Sequence, residues 1–186
     1  MMVGNFRHDA ARLMLHVQFK LAQKQDIEVT LYEPVAVSQL SSFRAIEGVH
    51  YVEGMRNVPI RLHAGSRQER TGISGLARQS QLYHVLDTEF EALEPPDKGL
   101  MLSSHLGEKL GIGAGDTVFV ETLEGRQRSE PVVVARVSEQ YLGMSAYMLR
   151  ENVNRLMGEG PAVNSILMSI DTTQAASIYA TLRGTP

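Results

Sequence analysis

The sequence predicts an α+β fold in which a discontinuous split β-α-β subdomain carries a smaller α+β subdomain inserted into it. Three observations predict it. Strand-then-helix patterning over Asp26 to Glu47 is echoed by strand-then-helix patterning over residues 163 to 184. Between them, "DTEFEALEPPDKG" is acidic and holds two prolines, the texture of a solvated connection or subdomain boundary. The chain's 186 residues, 43% of them hydrophobic, suffice for one domain or two small subdomains with a real core. One subdomain is therefore expected over residues 1–78 and 163–186, and the insert over 79–162.

Each element follows from local pattern. "NFRHDAARLMLHVQFKLAQKQ" sets Phe6, Ala10, Leu13, Val17 and Leu21 at helical steps, giving an amphipathic helix over residues 1–25. "DIEVTLYEP" alternates Ile27, Val29 and Leu31 with Glu28, Thr30 and Tyr32, a half-buried strand stopped at Pro34. A short helix is expected over 37–46, closed by Gly48. "VHYVEGMRNVPIRLH" returns as a long strand in which Pro59 argues for an edge or a bulge. A turn at Ala64 to Arg67 leads into the return strand ending in "GISGL".

In the insert, a helix is expected over Ser104 to Leu110 and another over Arg150 to Met157, ended by Gly111 and Gly158. "DTVFVETL" and "EPVVVARVSE" form a hairpin across Gly125. "VNSILMSID" then sets Ile166, Met168 and Ile170 on one strand face. Asp171 and Gln174 have the spacing of a capping box that starts the final helix.

Composition removes several function classes. There is no cysteine, so thiol nucleophiles, disulfides and cysteine metal sites are absent. Net charge is −3, which offers no global field for nucleic acid or anionic lipid. No run of about 18 apolar residues occurs, and the start lacks the basic-then-apolar order of a signal peptide, so a soluble, unaddressed chain is expected. His8, His16, His50, His63, His84 and His105 are scattered without metal-ligand spacing. No cofactor and no catalytic residues are expected.

"GLMLSSHLGEKLGIGAGDTVFVETLEG" carries a G-x-G-x-G stretch that invites a phosphate-binding reading. A phosphate cradle needs strand, loop and helix in that order, so that amides and the positive helix end meet the anion. Here the helix precedes the loop, and the loop lies at the negative end. Gly111 is read as a helix cap, with Gly113 and Gly115 as turn residues leading into Asp116. "GISGL" lacks the second glycine of a nucleophile elbow. Glu89, Glu91 and Glu94 read as a solvated acidic loop. Arg61, Arg67 and Arg70 flank one hairpin turn, and Arg126 and Arg128 the other, as a basic patch or as ordinary solvated edges. In "QYLGMSAYM", Tyr141, Leu142, Met144 and Tyr147 crowd an expected loop, as a core lid or as a contact surface for substrate or partner.

With these blocks laid out, "GLMLSSHLGEKLGIGAGDTVFVETLEGR", "YLGMSAYMLRENVNRLMGEG", "SILMSID" and "IEGVHYVEGMRNVPIRLHAGSRQERTGISGL" resemble the extracytoplasmic domain of FtsX-like, MacB-type ABC transporter permeases, from about Gln18 to Asp171. The resemblance implies a domain inserted between the first two membrane helices, on the periplasmic or extracellular side of the plasma membrane. Residues 1–25 would then be a stalk continuing a membrane span. It also implies partners: the membrane helices of the same full-length permease, a cytoplasmic ATP-binding subunit, and a periplasmic partner or second permease copy. The substrate class, whether lipid, lipoprotein, peptide or drug, stays open. "LGIGAGDTVFVE" is also similar to AbrB-like DNA-binding proteins over about a dozen residues, and the net charge of −3 argues against nucleic acid. A small hydrolase is the enzyme alternative, and it lacks an assembled nucleophile, base and oxyanion site.

Overall fold

The computed structural model describes residues 22–140 and 145–183. The expected stalk helix over 1–25 therefore lies outside the described residues up to Leu21. Beyond it, Gln23 forms a β-bridge with Tyr83.

Three strands make a split β-α-β layer: β1 (Ile27–Ala36), β2 (Val49–Ala64) and β10 (Ala162–Ile170). β10 lies between the other two and is antiparallel to both, pairing Ile166 with Val29 on one side and with Gly54 on the other. The link from β1 to β2 is a 3-10 turn (Val37–Gln39) followed by helix α1 (Leu40–Arg44), shorter than the 37–46 helix expected from the sequence. The second layer helix, α4 (Ala175–Arg183), starts from a 3-10 turn at Thr172–Gln174, where the Asp171 carboxylate accepts from the Thr173 amide at 2.9 Å.

Period-2 alternation decides what each layer face meets. Ile166, Met168 and Ile170 join Ile27, Val52, Leu40 and Ile178 in a cluster under α1 and α4. Leu167 points the other way and packs with Met55, Met101 and Tyr147. β10 is thus buried on both faces, between helices and the rest of the molecule.

That remainder is a closed six-stranded barrel. Its strands are the second half of β2, β3 (Arg67–Leu76), β6 (Leu100–Ser103), β7 (Thr117–Thr122), β8 (Ser129–Ser138) and β9 (Ala146–Leu149). Hydrogen bonding runs β2-β3-β9-β6-β8-β7 and returns to β2 through Ile60↔Thr122 to His63↔Phe119. Closure removes free edges from all six strands. Inward residues such as Ile60, Leu62, Ile73, Leu102, Val118 and Val134 fill the interior. Leu106 and Leu110 of α2 (Ser104–Leu110) and Val153 and Leu156 of α3 (Arg150–Met157) pack onto them.

The barrel repeats itself about an internal two-fold. In each half a hairpin, β2-β3 or β7-β8, lies parallel through its second strand to a short strand, β9 or β6. That short strand leads directly into a helix, α3 or α2. Four of the six strands fall in the insert expected from sequence, residues 79–162, and β2 and β3 supply the other two.

Pro59 is neither at an outer edge nor in a bulge, contrary to the sequence expectation. It sits opposite Gly72 in an unbroken β2–β3 ladder. Its carbonyl accepts from the Leu123 amide at 2.9 Å on the β7 side, beyond the last β2–β7 residue pair. A residue's N and O share one side of a strand, so the missing donor faces the end of β7. The acidic connection also contains structure: β4 (Val85–Leu86) pairs with β5 (Ala92–Leu93), and the Asp87 carboxylate accepts from the Glu89 and Glu91 amides at 2.8 and 2.9 Å.

Candidate functional site

β2 belongs to the layer up to Met55 and to the barrel from Arg56 onward. At this crossing the ladder to β10 ends, and the Asn164 side chain bridges the gap by accepting from the Asn57 amide at 2.7 Å and donating to its carbonyl at 2.8 Å. Arg56, with a side chain only 1% exposed, donates to Glu159 through Nε at 2.6 Å and to Glu124 through Nη2 at 2.5 Å. Burial opposes its charge, but the hydrogen bonds and charges of Glu159 and Glu124 outweigh it and hold the guanidinium's pKa above its ordinary value. Glu124 comes from the β7–β8 turn and Glu159 from the α3–β10 loop, so one cation ties three segments together.

Two further charges, one buried and one half-buried, stand beside it in sequence or in the cleft. The Glu53 carboxylate accepts from the Ser80 hydroxyl, from the Gln81 amide at 2.9 Å and from the Leu82 amide at 3.4 Å, pinning the chain that leaves β3. Arg150, at the start of α3, donates from Nη1 to the Gly54 carbonyl at 2.6 Å. Burial lowers its pKa, and Glu53 and Glu151 only partly offset this. A cleft of about 440 Å³ opens here, lined by Leu76, Arg78, Arg150, Asn154, Arg155 and Glu159 among others. Arg78 at its rim is paired with Asp97 and, at 3.0 Å, with Glu151. Among the described residues no three His, Asp or Glu side chains gather as a metal site. What this arrangement does chemically is hold layer and barrel in one register.

Tyr141, Leu142 and Met144 lie outside the described residues. Tyr147 lies in β9, 6% exposed, in the cluster with Met55, Met101 and Leu167. Beside it is Tyr83, whose phenol is pushed well above its ordinary value, first by burial and then by Tyr147. The described end of that aromatic stretch is therefore core.

The glycine-rich loop spends its amides internally. The Gly113 amide donates to Asp116 Oδ2 at 2.8 Å, and the Gly115 amide to the Val134 carbonyl at 2.8 Å. Gly111 and Gly158 end α2 and α3 at φ 68° and 66°, a left-handed conformation that glycine alone adopts cheaply. Gly48, Gly115 and Gly125 also have positive φ, of 85°, 95° and 62°.

The hairpin arginines do not form one patch. Arg61 and His63 share Glu121, each at 2.9 Å, on the barrel wall. Arg67 reaches the Glu108 and Lys109 carbonyls at the end of α2, both at 3.5 Å. Arg128 lies over Gly158 at the end of α3, in the two-fold related place. Arg70 and Arg126 are exposed. Sequence reasoning missed Arg56, whose signal was an arginine standing among the inward positions of a long alternating strand.

A three-stranded split layer passing its longest strand into a closed barrel defines a class: the chain has the fold of extracytoplasmic domains of ABC transporter permeases. It is similar to the extracellular domain of the noncanonic ABC-type transporter YknZ from Gram-positive bacteria, at 14% identity and TM-score 0.53, over 81% of this chain and 86% of that one. It is also similar to the periplasmic region of MacB from Actinobacillus actinomycetemcomitans, at 14% identity and TM-score 0.54, over 84% of this chain and 81% of that one. No family model and no curated relative matches the chain. Identity at this level carries the fold and nothing finer.

Proposed function

We propose that the chain is a non-catalytic extracytoplasmic domain of an ABC transporter permease, coupling a cytoplasmic ATPase to export or extraction of a substrate across the plasma membrane. The observation that carries the reading is topological. The first and last described elements, β1 and α4, belong to the same split layer, while the barrel is a long excursion from it. A layer holding both connections to membrane helices, with a barrel beyond it, suits a domain inserted between two spans. In this reading the membrane-proximal part is the layer alone, which shortens the expected 1–78 and 163–186 by the barrel strand β3 and the second half of β2 and puts the border inside β2 at Met55 and Arg56. The charge triad at Arg56 is the rigid link through which movement of the layer carries the barrel. Among the described residues no helix is long and apolar enough to cross a membrane.

The test uses the absence of cysteine from these 186 residues, with the unsubstituted full-length protein as the labelling background. Ser66, exposed in the β2–β3 turn, is replaced in the full-length protein, Ser66→Cys, and intact cells are treated with a membrane-impermeant maleimide. Labelling without lysis, together with co-purification of an ATP-binding subunit from detergent extracts, is expected. Labelling only after lysis overturns the reading.

A further inference from the structure

A second cleft, of about 480 Å³, lies on the other side of α3, between the chain at Lys98 and Gly99 and the start of β8. Its charges are one-sided. Lys98, Arg128 and Arg155 line it, against the single carboxylate of Glu130. None of the three cations forms an ion pair among the described residues.

Two of these cations are held in place. The Arg155 Nη1 donates to Asn152 Oδ1 at 3.1 Å, and the buried Asn152 amide in turn donates to the Asp97 carbonyl at 2.9 Å, which ties the guanidinium to the loop that forms the opposite wall. Arg128 stands across the β7–β8 turn from the buried Thr122, whose hydroxyl accepts from the Arg128 amide at 3.0 Å. Its guanidinium occupies the space that a side chain at Gly158 would fill, with Nη1 2.7 Å from the place of a Cβ. A planar guanidinium with free N–H groups suits the oxygens of phosphate or carboxylate, which it can grip through two parallel hydrogen bonds.

The remaining walls are apolar: Pro131, Val132, Met148 and Leu156. Pro131 is also the cross-strand partner of Phe119, which is 51% exposed, and the neighbouring Val133 is 50% exposed. The apolar wall thus continues from the cleft onto the outer barrel surface. Two arginines in the cleft and an apolar track leaving it describe an amphiphile, and the volume falls within the usual range for small-molecule sites.

We infer that this cleft binds an oxyanion joined to a short apolar chain, with Arg128 and Arg155 on the oxyanion and the Pro131–Phe119 surface under the chain. The inference does not depend on the transport reading, because it is tested on the 186-residue chain alone.

Isothermal titration of the chain with octyl phosphate and with octanoate, both below their micelle concentrations, is expected to give saturable binding of at least one. Inorganic phosphate and the neutral octyl glucoside should each bind at least tenfold more weakly. Arg128→Gln combined with Arg155→Gln should weaken the amphiphile tenfold or more, Glu130→Gln should tighten it, and Arg70→Gln, away from the cleft, should leave it unchanged. Circular dichroism checks that each variant is folded. A folded Met148→Ala variant, whose change is apolar, should weaken the amphiphile while leaving inorganic phosphate unaffected. No saturable binding of either amphiphile, equal binding of inorganic phosphate or octyl glucoside, or a folded double arginine variant that binds like the parent overturns the inference.

Discussion

Replacing both carboxylates that hold Arg56, by Glu124→Gln with Glu159→Gln, is the most direct test of the junction. The perturbation is unequal by construction. Arg56 is 1% exposed, while Glu124 and Glu159 are 34% and 25% exposed. Taking the charge from both glutamates leaves a cation that water cannot reach, with only amide oxygens as partners, and stranding a buried ion costs about 3–5 kcal/mol. Each single replacement leaves one charged partner and removes roughly one charge-assisted bond, about 1–2 kcal/mol. The double variant should therefore lose more than the sum of the singles. Arg56→Met works in the opposite sense. The two carboxylates it frees are partly exposed and hydrate, so its cost should be smaller, about 1–3 kcal/mol. Urea unfolding followed by far-ultraviolet circular dichroism measures all four variants, with unchanged m-values as the check on compactness. On a chain of this size 1 kcal/mol moves Tm by about 2–4 °C, so the double variant should melt on the order of 6–20 °C lower. A double variant within 1 kcal/mol of the parent, or an Arg56→Met that costs more than the double, refutes the argument that the charges lock layer to barrel.

Gly111→Ala and Gly158→Ala should each cost about 1–2 kcal/mol in the same assay, because both residues sit at positive φ under a guanidinium, whereas Gly113→Ala should stay within about 0.5 kcal/mol, having ordinary φ and no neighbour in reach of a Cβ. Tyr147→Ala should cost about 3–5 kcal/mol as an emptied core site, and Tyr147→Phe, which keeps the ring, at most about 1 kcal/mol; a Tyr147→Ala variant as stable as the parent removes Tyr147 from the core. The Asp171 carboxyl is held below its ordinary pKa, first by the Thr173 hydroxyl and then by the Thr173 amide. A depressed carboxyl contributes stability above its unfolded pKa and loses it as pH falls through the folded value, so the protection of α4 amides relative to their intrinsic exchange rate should fall on acidification in the parent and show no such fall in Asp171→Ala.

The parts of the fold that local pattern controls were legible. Helices α2 and α3 were placed over Ser104–Leu110 and Arg150–Met157, because each is a short apolar-periodic run ended by a glycine. The β2–β3 and β7–β8 hairpins and the split layer followed from alternation and turns. The barrel was not legible, because its closure rests on Ile60 meeting Thr122 and Ile73 meeting Ala146, pairings that no window of sequence contains. An alternating strand looks the same whether its second edge is free or closed, which is also why Pro59 pointed to an edge.

The junction was hidden for a related reason. Arg56 finds its partners 68 and 103 residues away. Yet the strand itself held the clue, since Met55, Arg56 and Val58 are all buried while Asn57 and Pro59 are less so. An arginine that a strand carries out of water requires carboxylates delivered from elsewhere, because the ion is otherwise too costly to bury. Glutamates beside chain-reversing glycines are suited to that delivery, since a turn can project a side chain into a neighbouring element while its backbone stays solvated. Glu124 precedes Gly125, and Glu159 stands between Gly158 and Gly160. The glycines at Gly125 and Gly158 therefore do two things at once: they reverse the chain at positive φ, and they set the two carboxylates on the one cation through which layer and barrel are joined.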